Sequence, residues 1–418
     1  MSRRRIGNIL TPAYTYNMSD QQQAFRRNSR LFYAINFLEN CFFYDAIYVI
    51  FGTQYLHLTF LQAGSLFFVS YFVSIVLDFW GGIRADILGR KKAQMLGLAI
   101  QLVSLLPYLV TQSYALLLVA SVVNGVGVAL ASNSLHALIY EQATALKTQK
   151  LYQRVNAYAQ IWVFAGAAVG SLVGGLMYML DPRLPYGLMV ITLGLGIAAS
   201  AMLRTPVRKS AGEIVENPES VAVMTVAIKA FRSNKTLLDF IVISFLVGIF
   251  GDLLFSYYQP YYVNLHVNAL TLGLVFGALR VVAGFGSFTM RKLPDVLGSH
   301  AIQAMVLLAM TATTIIMLLF EVPIVLFAPI IFAFTQGFNN PNLRLFINNH
   351  ASDSARTATL SFGTMVTNFG VGLGYLIAFV LADSVSSSVI LKSVLLGIAA
   401  TSLLGIILWR ARVKAALS

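Results

Sequence analysis

The chain has 418 residues, a formal net charge of +13, and a composition that is 58% hydrophobic and 11% charged. A soluble domain carries about 25% charged residues, so a water-soluble globular fold is excluded and a bilayer is the implied solvent. The lone cysteine, Cys41, rules out an intramolecular disulfide framework, and with no Cys/His cluster neither a zinc site nor any other metal or cofactor is expected.

Residues 1–30 are polar and hold Arg3, Arg4, Arg5, Arg26, Arg27 and Arg30 without an apolar stretch. They read as a cytoplasmic tail rather than a signal peptide, which leaves the first span as its own insertion signal. A spanning helix needs about 20 mostly apolar residues, and twelve such runs follow. Six lie at 31–54, 60–82, 93–111, 114–139, 156–180 and 184–203, an N-terminal bundle over 31–203. Segment 204–235 is the long polar stretch inside the chain and is expected to be a cytoplasmic loop. Six more runs, at 236–259, 268–290, 301–320, 322–346, 357–382 and 386–409, form a C-terminal bundle over 236–410, and residues 411–418 form a tail. The runs are continuous rather than alternating, which favours helices over a barrel.

Span 1 contains FLENCFFYDAIYVIFG, residues 37–52, with two carboxylates, Glu39 and Asp45. A charge near the bilayer centre costs about 2.5–3.5 kcal/mol or more. On an unbroken helix Tyr33, Asn36, Asn40, Tyr44 and Tyr48 form one stripe with the two acids flanking it, and such a stripe should line a watery cavity. Glu39 and Asp45 are therefore candidates to carry a proton or meet a cationic substrate; the alternative is a static ion pair or a hydrogen-bonded structural acid. Arg280, in the middle of span 8, must have a partner, and Asp252 on span 7 is the simplest choice, as either a structural pair or a proton-coupling pair. Asp239 reads as the N-cap of span 7. His136, beside Asn133, Tyr140 and Glu141 in span 4, reads first as structural. Trp162 on span 5 and Tyr257, Tyr258 and Tyr261 on span 7 join the span-1 tyrosines either as the lining of a pocket for flat or cationic molecules or as packing.

Lys and Arg set the orientation. They concentrate in the N-terminal tail, the 2–3 loop (Arg84, Arg90, Lys91, Lys92), the 4–5 loop (Lys147, Lys150, Arg154), segment 204–235, the 8–9 loop (Arg291, Lys292) and the C-terminal tail. Arg183 is the exception. Both termini are expected in the cytoplasm of a multi-pass protein of the cytoplasmic membrane, and the short loops incline towards a bacterial source. The basic residues occupy separate loops rather than one patch, which argues against nucleic acid as a partner. The two sets of six also look like repeats. Asp45 precedes Tyr55 by ten residues and Asp252 precedes Tyr262 by ten; Asp45/Asp252 and Asn133/Asn340 share a shift of 207. Asp86–Gly89 and Asp295–Gly298 both stand beside a basic loop. No P-loop sequence is present.

The 2–3 loop, GGIRADILGRKK, carries Gly82-x-x-x-Asp86-x-x-Gly89-Arg90-Lys91. This resembles the signature loop of the major facilitator superfamily. Physically, Asp86 can cap a helix and meet a neighbouring helix dipole, Gly89 allows a tight turn, and Arg90 and Lys91 hold the loop to one side. In that family the loop is a latch between the two halves, to which Asp78 at the end of span 2 would belong. Asn124-Gly125-x-Gly127-x-Ala129 in span 4 is similar to the family's second motif, with Ser121 where the family has an arginine. Gly166-x-x-x-Gly170-Ser171-x-x-Gly174-Gly175 in span 5 resembles the motif of drug/proton antiporters, with Ser171 in place of a proline; plain helix packing through small residues is the competing reading.

The resemblance implies an all-α integral membrane protein of the major facilitator fold, with twelve helices in two pseudo-symmetric six-helix bundles. It implies a monomeric transporter rather than an enzyme. The expected activity is proton-coupled export of a small amphipathic or cationic compound by alternating access, with protonation of Asp45 or Glu39 exchanged against substrate. Uptake of a small nutrient by symport or facilitation is the alternative within transport, and a non-transporting sensor or lipid-handling protein the alternative outside it. The charge bias yields a first prediction. Cysteines introduced at Ser210 and Ser418 in a Cys41→Ala background should resist impermeant thiol reagents added to intact cells; ready labelling from outside would reverse the orientation.

Overall fold

A computed structural model describes residues 18–132, 134–146, 149–205, 229, 234–290, 293, 296–351 and 356–417. Every regular element among them is a helix. Ten helices are long and apolar enough to cross a membrane. They account for spans 2 to 9, 11 and 12 of the sequence.

Spans 1 and 10 are broken instead of continuous. Helix Met18–Glu39 ends at Glu39, residues 40–47 are irregular, and the helix resumes at Tyr48–Ile50 and ends in a π-helical turn, Phe51–Tyr55. Span 10 is divided into Ile324–Phe327, Pro329–Gln336 and Asn339–His350. Irregular backbone at membrane depth is tolerated only where protein or a water-filled cavity surrounds it. Span 5, the helix Gln149–Tyr178, provides that surround for span 1. Side chains at Gly166 and Gly174 would overlap the carbonyls of Phe37 and Phe43, and a Cβ at Gly170 would lie 2.8 Å from the Cys41 carbonyl carbon. The glycine stripe is thus the bed on which the break rests. Gly175 turns towards the other half, where a Cβ would lie 2.5 Å from the Ala269 oxygen and 2.9 Å from Gly273 Cα on span 8.

The two halves meet through span 5 on span 8 and span 2 on span 11. Their cores are not shared evenly along the molecule. Away from the signature loop, one cluster of buried apolar residues runs through both halves and includes Ile47, Phe51, Tyr186, Leu254, Tyr262, Phe276 and Phe379. Near the loop each half keeps its own cluster: Phe25, Phe32, Ile139 and Val155 in the first, Phe240, Leu343, Phe346 and Ile347 in the second. Between those separate clusters lies a cavity of about 700 Å³, walled by Tyr71, Ser74 and Asp78 from span 2 and by Arg344, Asn348 and Asn368 from the second half. The molecule is therefore closed at the end remote from the signature loop and parted at the loop end.

A backbone repeat accompanies the sequence repeat. His57 and His266 both adopt a left-handed conformation with φ of 57°. Two residues on, Thr59 and Asn268 are the N-caps of spans 2 and 8, accepting from the amides of Gln62 at 3.2 Å and Thr271 at 2.9 Å. A left-handed non-glycine residue is uncommon, with His among those that tolerate it, so the shared turn marks the same corner in both halves. Span 7 departs from the sequence expectation at its start. The helix Lys235–Asn264 is capped by Asn234, whose side chain accepts from Leu237 N at 3.1 Å. It begins at Lys235, one residue before the expected bound, which places Asp239 in the second turn and not at the cap.

The glycine bed makes a stability prediction. Gly174→Ala drives a methyl into the Phe43 backbone and should destabilise by about 1–3 kcal/mol, the usual cost of overpacking. Gly187→Ala in span 6 meets nothing within 4 Å and should be neutral or gain about 0.5 kcal/mol from helix propensity. Thermal unfolding of the two variants in detergent checks the contrast.

Candidate transport site

The break in span 1 puts Asp45 where no helix constrains it. Its carboxylate Oδ2 accepts from Arg280 Nη2 of span 8 at 2.6 Å, a charge-assisted bond joining the two halves inside the apolar core. The face of Phe255 lies beneath the guanidinium, 5.0 Å from it. This corrects the sequence expectation that Arg280 pairs with Asp252. Asp252 remains within electrostatic reach of Arg280, as do Tyr375 and Asp45, but the unwound segment lets Asp45 reach the guanidinium and take the bond. Arg280 Nε has no hydrogen-bond partner among the described residues.

Aromatic rings form the wall beside this pair. Tyr48 stacks on Phe67 of span 2 at 5.5 Å and meets Phe379 of span 11 at 5.9 Å. Tyr375 of span 11 packs on Phe67 at 4.8 Å and on Tyr71 at 6.2 Å, and the Tyr71 hydroxyl donates to the Asn368 oxygen across the halves at 3.4 Å. The wall continues into the loop-side cavity through Tyr71.

The span-1 stripe expected from helical spacing does not persist. Only Tyr44 and Tyr48 of that stripe share a cavity, in the N-terminal half, where Tyr44 stacks on Tyr186 at 5.1 Å and Tyr186 in turn stacks on Tyr108 at 4.8 Å. Asn36 and Asn40 spend their amide donors on span 1 itself, at Phe32 O (2.8 Å) and Asn36 O (2.7 Å). Glu39, the last helical residue before the break, accepts from Gln94 of span 3. Trp162 meets Phe37 edge-on at 6.1 Å. Tyr257 and Tyr258 are buried in the C-terminal half beside Tyr261 and Tyr262, whose hydroxyls donate to Met317 O and Val325 O at 3.1 Å. The structure thus gathers Asp45, Arg280, Asp252 and Tyr48 near the seam. Glu39, Asn36, Asn40, Tyr44, Trp162, Tyr257 and Tyr258 lie within one half or the other.

The signature-loop residues bond within the N-terminal half. Gly89, with φ of 88°, joins spans 2 and 3. Arg90 Nε lies 3.4 Å from Glu141 of span 4. Lys91 Nζ donates to Ala201 O at 2.5 Å and Leu203 O at 2.9 Å, covering the carbonyls at the end of span 6. Gly82 and Asp86 fall within the helix Phe60–Leu88, so the N-cap position of span 3 belongs to Gly89 and not to Asp86; the side chain of Asp86 lies outside the described residues, as do Asn133 and Asp295. Asp78 stands on the cavity wall. Asn124 ties three spans, accepting from Ser70 and donating to Ser104, both at 2.9 Å. Ser121, in the place of the motif arginine, exchanges a hydrogen bond with Tyr108 at 3.1 Å.

Several residues of the site carry little sequence signal. Tyr375 and Tyr71 look like any aromatic residue in an apolar span. Asp383, at the end of span 11, accepts from the amides of Phe60 (2.9 Å) and Leu61 (2.6 Å) at the start of span 2, bridging the halves at the closed end. Gln259, a polar residue inside span 7, reaches span 1; its place in an apolar run was the one signal available.

Residues 33–375 match the family model of the Major Facilitator Superfamily. The chain belongs to this superfamily. It is a membrane transporter by family and fold. It is 25% identical over 221 residues to the quinolone resistance protein NorA of Staphylococcus aureus (strain MRSA252), a match spanning 51% of this chain and 54% of that one, about half of either. Among solved structures it is similar to a mutant of the nucleoside transporter NupG, with a TM-score of 0.75 at 14% identity over 92% of this chain and 99% of that one. It also resembles a bacterial homologue of the human lysosomal transporter Spinster in an inward-facing, unoccupied conformation, with a TM-score of 0.64 at 16% identity over 93% and 95%. At these identities the structural likenesses speak for the fold alone.

The part-buried ion pair makes a thermodynamic prediction. Arg280→Ala leaves Asp45 without that partner and should destabilise by about 1–3 kcal/mol, whereas Arg280→Ala with Asp45→Asn removes both charges and should recover most of that loss. Comparing the two melting temperatures in detergent tests the pair directly.

Proposed function

We propose that this protein is a proton-coupled exporter of small amphipathic or cationic compounds that works by alternating access, Asp45 being the group that gains and loses the coupled proton. The observation that carries this reading is the Asp45–Arg280 bond between the halves at 2.6 Å. Protonation of Asp45 removes the charge attraction that holds the two halves together there. Its loss lets the closed end part while the loop end shuts, and the freed guanidinium keeps Asp252 as an alternative acid within reach. A proton taken up on one side and released on the other then drives the cycle.

Charge bias in the loops favours placing the cavity between Asp78 and Arg344 on the cytoplasmic side, so the arrangement described is inward-open. The aromatic wall of Tyr48, Phe67, Tyr71 and Tyr375 suits a flat or cationic molecule. Export is favoured over uptake by the partial similarity to a quinolone resistance protein and by the span-5 glycine run.

The test uses inverted membrane vesicles with an imposed pH gradient, a fluoroquinolone and a lipophilic dye cation as probes, and flux normalised to folded protein. Wild-type vesicles should accumulate at least one probe. Asp45→Asn, a neutral mimic of the protonated acid, should abolish gradient-driven accumulation, a loss of tenfold or more, while downhill exchange survives. Full accumulation by Asp45→Asn would remove Asp45 from the coupling. Accumulation only in right-side-out vesicles would replace export with uptake.

A further inference from the structure

The irregular stretch that carries Asp45 is not held by span 1 alone. Where the helix resumes at Tyr48, its first amides have no carbonyl one turn earlier to bond, and no side chain of span 1 caps them. Gln259 of span 7, only 3% exposed, supplies what is missing from the opposite half. Its Oε1 accepts from Val49 N at 3.2 Å, and its Nε2 donates to Asp45 O at 2.5 Å. One carboxamide therefore grips both the last part of the break and the first turn after it. An amide N–H and a carbonyl must be met together, so only a group with one donor and one acceptor in one plane fits. The side chain one residue before Pro260, on the helix Lys235–Asn264, is the group placed there.

This contact connects two events. Gln259 can make both bonds only while the halves are together at the closed end. When they separate there, Val49 N and Asp45 O lose their partner at the same time as Asp45 loses Arg280. Conversely, the grip on Asp45 O fixes the backbone from which the carboxylate reaches Arg280 Nη2.

We propose that Gln259 is a positioning residue: by clamping the backbone of Asp45 and Val49 from the opposite half, it holds the carboxylate on Arg280 and makes closure of this end and formation of the ion pair a single event. The inference rests on the coupling role of Asp45 for its meaning in transport, but the clamp itself is testable without any substrate.

The experiment uses the full chain in a Cys41→Ala background with spin labels on cysteines at Gln112 and Ser388, both exposed at the closed end of opposite halves. Distance distributions are measured by pulsed electron resonance in lipid nanodiscs for the parent, Gln259→Ala and Gln259→Met. Met keeps the length and packing of the side chain but can neither donate nor accept in this geometry. The clamp predicts that both variants shift the distribution to longer distances, with the ratio of closed to open populations falling roughly tenfold, the scale of two lost hydrogen bonds. A parent-like distribution in Gln259→Met would show that shape holds the segment and would overturn the proposal. In the second arm, downhill exchange, which survives in Asp45→Asn, is compared among Gln259→Met, Asp45→Asn and the double variant. Positioning through Asp45 predicts a double variant no worse than Asp45→Asn, because both changes act on one interaction; additive losses overturn it. If Asp45→Asn couples fully while the distances still shift in Gln259→Met, the coupling assignment of Asp45 fails and the clamp stands.

Discussion

A guanidinium and a carboxylate drawn largely out of water are stabilised by each other, and in this protein the two come from different halves. The Asp45–Arg280 bond is therefore a constraint on the whole molecule, because parting the halves at that level separates two opposite charges. The bond ties span 1 of one half to span 8 of the other at 2.6 Å.

The remaining architecture serves to put Asp45 within reach. An unbroken span 1 would direct Asp45 by helical geometry alone. Unwinding over residues 40–47 gives it freedom, but leaves backbone polar groups at membrane depth. The glycines of span 5 answer the steric side of that problem by letting the chain lie backbone against backbone. Gln259 answers part of the hydrogen-bonding side from the other half. Gly175 and Gly273 then bring the same span 5 against span 8, which carries Arg280. The stripe of small residues thus serves both readings weighed from the sequence. It is helix packing, and what it packs is the acid-bearing break and the inter-half seam.

Polar links across the halves include Asp383 on the start of span 2 and Gln259 on span 1 at the closed end, and the Tyr71 hydroxyl on Asn368 beside the cavity; the loop end shows that cavity and two separate apolar clusters. Arg90 and Lys91 bond within their own half, to span 4 and the end of span 6. Asp78 and Arg344 both line the cavity at that end.

The sequence by itself determined the solvent, the helical class, and the presence of two acids and an arginine that a bilayer would penalise. These follow from composition and from the length of apolar runs, which depend on local chemistry alone. The matching turns at Leu56-His57-Leu58-Thr59 and Leu265-His266-Val267-Asn268 came from the structure, because they lie at a shift of 209 and not at the 207 of the sequence repeat. Helical periodicity could not foresee the break in span 1. That break exists because glycines more than a hundred residues away make room for it, so the stripe of Asn36, Asn40, Tyr44 and Tyr48 was drawn on a helix that ends at Glu39. The partner of Arg280 was undecidable for the same reason. Asp45 and Asp252 are equivalent in the repeat, and only the packing of span 5 against an unwound span 1 gives the bond to Asp45. Long-range contacts of this kind leave no periodic trace in the chain, and tertiary structure alone decided them.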